Sequence, residues 1–72
     1  MKQIVEKVSF YPYSYVELSR KDWYAIIRYN TVLHKWITLE RLHGEESSIS
    51  EEVRKLNEDA GLITEEFIVG YE

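Results

Sequence analysis

His34 and His43 are the only imidazoles in the chain, and Glu40 and Arg41 lie close to them in sequence. An imidazole beside a carboxylate could pass a proton, and two imidazoles could hold a metal ion. The spacing supports neither use. No HExxH or comparable ligand set occurs, one histidine falls in an expected turn, and there is no cysteine to complete a metal site or a disulfide. Tyrosine, arginine, lysine and histidine on a small sheet could also build a metal-independent nuclease, but an acidic chain is a poor host for a polyanionic substrate. No phosphate-cradling glycine loop and no nucleophile elbow is present. The sequence therefore points away from an enzyme, with no catalytic residue, metal or cofactor assigned.

A row of tyrosines asks for a different explanation. In "SFYPYSYVEL", Tyr11, Tyr13 and Tyr15 alternate with Phe10, Ser14 and Val16. Side chains alternate faces along a strand, so the three tyrosines are expected on one side. The other side carries Val8, Phe10, Val16 and Leu18, the parity expected to meet the core. Tyr24, Arg28, Lys35 and Trp36 would join the tyrosines on an open, aromatic and basic face. Such a face suits self-association, or the stacking of single-stranded nucleic acid bases.

The elements that must position this face follow from the pattern. "IVEKVSFYPYSYVELS" reads as one extended segment, placed at an edge, bulged or broken at Pro12, because proline cannot donate to a ladder. "SRKD" is a polar turn. In "WYAIIRYNTVLHKWITLERLHG", helical spacing would scatter the apolar side chains around the axis. Two strands, "WYAIIRY" and "KWITLERL", joined at "NTVLH" with Asn30 tolerating positive φ, suit its β-branched and aromatic content. After a loop at Gly44 and "EESS", Ser48 and Glu51 have capping-box spacing. Ile49, Val53, Leu56 and Ala60 form one helical stripe, Glu51 and Lys55 an i,i+4 pair, and Gly61 a C-cap. "EFIVGY" reads as a last strand. The expected fold is α+β: one domain over residues 1–72, in β-β-β-α-β order, with a small antiparallel sheet of three to four strands and one helix on one face.

Charge narrows the function further. The net charge of −4 divides into +3 over residues 1–44 and −7 over residues 45–72, and eight of the ten aromatics lie in the basic part. Two faces that attract each other between copies, or a face for a polyanion, follow from that asymmetry. The helix followed by "AGLI" has the outline of a winged helix-turn-helix reader, but Glu51, Glu52, Glu58 and Asp59 would face the phosphates. No apolar run is long enough to cross a bilayer and no signal-peptide pattern follows "MKQIVEKV", so a cytoplasmic protein is expected. Amide and sulfur residues are few, a lean toward a thermophilic source. The function expected is that of a small interaction or regulatory protein, homodimeric through its aromatic sheet face, acting on a larger protein partner. Single-stranded nucleic acid is the alternative ligand, disfavoured by net charge.

Overall fold

A computed structural model of Met1–Glu72 gives five strands and one helix in the order β-β-β-β-α-β. The strands are β1 (Gln3–Phe10), β2 (Tyr13–Glu17), β3 (Trp23–Asn30), β4 (Lys35–His43) and β5 (Ile63–Tyr71), with α1 spanning Glu46–Ala60 before β5. The class is α+β. Strands β2, β3 and β4 form an antiparallel sheet, and β1 and β5 form a separate antiparallel ribbon. No helix is long and apolar enough to cross a membrane.

The expected first strand is two strands, and Pro12 is the reason. It is almost fully buried between them, and its carbonyl accepts the Tyr29 N–H at 2.8 Å. A proline there removes a ladder donor and turns the chain, so β2 pairs with β3 while β1 leaves the sheet for β5.

The β3–β4 hairpin forms as its composition predicts, with a correction in the turn. Asn30 does not take positive φ. Its side-chain oxygen accepts the N–H groups of Val32 and Leu33, both at 2.9 Å, and His34 enters the left-handed region at φ 53°. "SRKD" is a turn, with Asp22 at φ 62°.

Helix α1 begins earlier than the capping-box spacing predicts. Glu45 is the N-cap without a side-chain bond, and "ESS" forms the first helical turn instead of a loop. The Ser48 and Ile49 N–H groups both reach the Glu45 carbonyl. Two acids at the start of the helix favour this register, since the exposed N–H groups there attract negative charge. Glu51 pairs with Arg54, which also reaches Glu58, in place of the expected Glu51–Lys55 pair. The Arg54 hydrogen bond holds the Glu51 carboxyl below its ordinary range. Gly61 ends the helix at φ 74°, its N–H on the Asn57 carbonyl.

The helix covers β2 and β3. Ile49 and Val53 meet Tyr24 and Ile26 in the core, with Tyr13, Tyr15, Leu42 and Leu56 at its margin. Ala60, the last residue of the expected stripe, is exposed. Only eight of 72 residues are buried, so this core is small even for a short chain.

Candidate interaction face

The structure inverts the two faces of β2. Tyr15 lies opposite Ile26, and directly paired residues share a face, so Tyr13 and Tyr15 stand on the side of the helix. Tyr15 packs its ring against Tyr24 with centroids 5.9 Å apart and donates its hydroxyl to Glu46 Oε1 at 3.1 Å. A tyrosine can bury its ring while its hydroxyl reaches a polar partner at the rim, which period-two hydrophobicity does not register. The expectation that the tyrosine row remains open opposite the helix is therefore overturned for Tyr13 and Tyr15. Tyr24 is buried beneath the helix, out of reach of a partner. Burial raises its hydroxyl pKa, and the Glu46 carboxylate adds to the effect.

The remaining residues of the predicted face divide between the two sides of the sheet. Tyr11 is exposed at the corner before Pro12. Arg28 sits 5.5 Å above the Tyr13 ring, opposite Tyr13 across the ladder. Lys35 pairs with Asn30, and Trp36 lies opposite Tyr29 on the face away from the helix. His34 and His43 lie at opposite ends of β4, so they share neither a proton nor a metal ion. No three His, Asp or Glu side chains gather as metal ligands would.

The β1–β5 ribbon is the largest departure from expectation. Its ladder runs from Gln3↔Tyr71 to Phe10↔Ile63, with a bulge that leaves Val69 unmatched. One face carries Ile4, Val8, Phe10, Ile63 and Phe67. The other carries the Lys7–Glu66 ion pair and the Ser9–Thr64 hydrogen bond, but also Val5, Ile68 and Tyr71. From Ile4 to Tyr71 the large apolar residues of the ribbon, apart from Phe10 and Ile63 at its base, are 37–59% exposed. The ribbon makes the molecule 50 × 27 × 18 Å with a radius of gyration of 15.2 Å. A compact chain of this length would have a radius of about 11 Å.

Where the ribbon joins the sheet, aromatics form a crook. Phe10 meets Tyr29 edge-on at 5.1 Å and Trp36 at 6.0 Å, while Tyr29 and Trp36 stand 5.5 Å apart. Val8 and Phe67 extend this into an open apolar cleft. A polar latch lies alongside. Glu65 of the ribbon is buried and lies 3.3 Å from Nδ1 of His34. Burial, and then the Glu65 carboxylate, raise the Tyr29 hydroxyl pKa. The sequence marked Trp36 but gave no signal for Val8, Phe10 and Phe67 as surface residues, because their spacing resembles that of a core strand. No protein family, no curated protein and no solved structure matches this chain.

Proposed function

We propose that this chain is a small, non-catalytic interaction protein that forms a homodimer, the ribbon of each copy covering the aromatic crook of the other. The ribbon is the observation that carries this reading. A two-stranded ribbon is marginal alone in water, and this one leaves apolar side chains exposed on both faces. Monomers seldom leave so many large apolar side chains bare on one element.

A second copy is favoured as the occupant on two grounds. Each molecule offers both halves of the contact, a projecting ribbon and a crook, and a two-fold axis would use both twice. Charge also complements. Ribbon residues 2–10 and 63–72 carry a net −2, while Arg28 and Lys35, on the helix-side face at the same end of the sheet, have no carboxylate within 4.0 Å and offer cationic groups that a second copy's ribbon could reach. The same acidity makes the ribbon a poor platform for nucleic acid. Regulation of a larger protein is the role such a dimer would serve.

Sedimentation equilibrium at micromolar concentration tests the reading. The wild type should run at twice its 8.6 kDa chain mass. Phe67→Glu should run as a monomer with unchanged helix content. A wild type that sediments only as the single chain overturns the proposal.

A further inference from the structure

The end of the sheet remote from the crook holds a second, chemically different cleft. Leu18, Ser19, Arg20, Trp23 and Arg41 border about 370 Å³ of open space. The elements converge there for local reasons. The β2–β3 turn is closed by the Leu18 N–H on the Trp23 carbonyl at 2.9 Å and the Trp23 N–H on the Arg20 carbonyl at 3.2 Å. This brings Arg20 over the start of β3. Trp23 and Arg41 lie on the face away from the helix, where Trp23 pairs with His43 and Arg41 with Ala25. The indole leans on the His43 ring with centroids 5.3 Å apart and planes at 53°.

The charge state of this cleft is unusual for the chain. Carboxylates outnumber lysine and arginine thirteen to nine, yet neither Arg20 nor Arg41 has one within 4.0 Å. The ion pairs that form use Lys7 and Arg54. Two unpaired guanidiniums beside one cleft offer forked donors whose geometry matches a phosphate. The indole wall supplies a flat surface of the kind on which bases stack. The Ser19 hydroxyl adds a neutral donor. The volume is at the small end of the roughly 300–1,000 Å³ of ligand pockets, which suits one small ligand.

We propose that this cleft binds a 5′-phosphorylated nucleoside, with the phosphate between Arg20 and Arg41 and the base against Trp23. The site is separate from the crook and does not depend on dimerisation. The ligand is either a free nucleotide or the phosphorylated end of a single strand, since both present the same phosphate and base.

Calorimetric titration of the full chain with adenosine 5′-monophosphate, adenosine and inorganic phosphate tests the proposal. The monophosphate should bind at least tenfold more tightly than either part alone. Arg41→Gln and Arg20→Gln should each weaken it tenfold or more while leaving the circular dichroism spectrum unchanged. Trp23→Ala should weaken it roughly fivefold to a hundredfold, the range of one base–aromatic stack, and Trp23→Phe should largely restore it. If Trp23→Ala unfolds the chain, the two arginine variants and Trp23→Phe decide the matter. A 5′-phosphorylated tetranucleotide binding more tightly than the monophosphate, and more tightly than its unphosphorylated form, identifies a strand end; otherwise the free nucleotide is the ligand. The site is refuted by the absence of saturable monophosphate binding at millimolar concentration. It is equally refuted by inorganic phosphate binding as tightly as the monophosphate, or by Arg41→Gln having no effect.

Discussion

Asn57→Ala should be among the most damaging single changes on the polar side of helix α1. The Asn57 side chain holds the backbone of Tyr13 twice: the Tyr13 N–H donates to its Oδ1 at 2.9 Å, and its Nδ2 donates to the Tyr13 carbonyl at 3.0 Å. In effect an amide from the helix substitutes for the neighbouring strand that β2 lacks on its outer edge. Each bond contributes roughly 0.5–1.5 kcal/mol net, and both groups are partly buried, so loss of the partner also costs solvation. Alanine is the better helix former by up to about 0.7 kcal/mol, which offsets part of the loss. The balance is a destabilisation of roughly 1–2.5 kcal/mol. For a domain of this size that lowers Tm by roughly 5–15 °C. Urea denaturation followed by circular dichroism, at one fixed protein concentration, should show a lower midpoint and an unchanged slope. Asn57→Asp keeps the acceptor but sets a carboxylate against the Tyr13 carbonyl, so it should be at least as harmful near neutral pH. Glu52→Ala, exposed on the same helix, is the control. If Asn57→Ala is as mild as Glu52→Ala, the clamp does not hold β2.

Ile49→Ala should cost roughly 2–5 kcal/mol by opening a cavity against Tyr24 and Ile26, and Leu56→Ala, only half-buried, should cost less in the same denaturation experiment. Tyr24 and Tyr29 have raised pKa values, so each keeps its proton in the folded chain where the unfolded chain has lost it. Their contribution is therefore complete below about pH 10 and declines as pH rises through the folded values. Ultraviolet titration should find two tyrosines that ionise above pH 10 only as the circular dichroism signal falls, and their free ionisation in the folded chain would contradict the burial described.

Much of the architecture was legible in the residues. The β3–β4 hairpin followed from β-branched and aromatic content, and the C-cap at Gly61 from its place after the apolar stripe. The start of α1 is not legible, because Ser48 and Glu51 have capping spacing whether or not the chain before them is already helical. The break at Pro12 was visible, but not its consequence. Sequence spacing does not say which strand a freed segment will join, and that choice set β1 against β5 and moved Val8 and Phe10 to a surface. The tyrosine face failed for a related reason. Hydrophobic parity treats tyrosine as polar, whereas Tyr15 buries its ring and sends only its hydroxyl to Glu46. Trp36 is legible from its aromatic character, but its crook is assembled from β1, β3 and β4 together, and the cleft it opens onto reaches Phe67 of β5.

The β1–β5 pairing also sets the order in which the chain acquires its structure. The sheet of β2, β3 and β4 is built from neighbouring hairpins that close short loops, and α1 then reaches back past β4 to β2 and β3, with Tyr15–Glu46 and Tyr13–Asn57 contacts 31 and 44 residues apart. The ribbon joins Gln3 to Tyr71, opposite ends of the chain, and pays the largest entropy of loop closure. It should therefore be the last element to form and, with few contacts to the body, the first to open in native-state hydrogen exchange. While it is open, β1 of one molecule is free to meet β5 of another. Association and ribbon closure then compete for the same strands, so protein concentration during folding influences whether chains close on themselves or exchange ends.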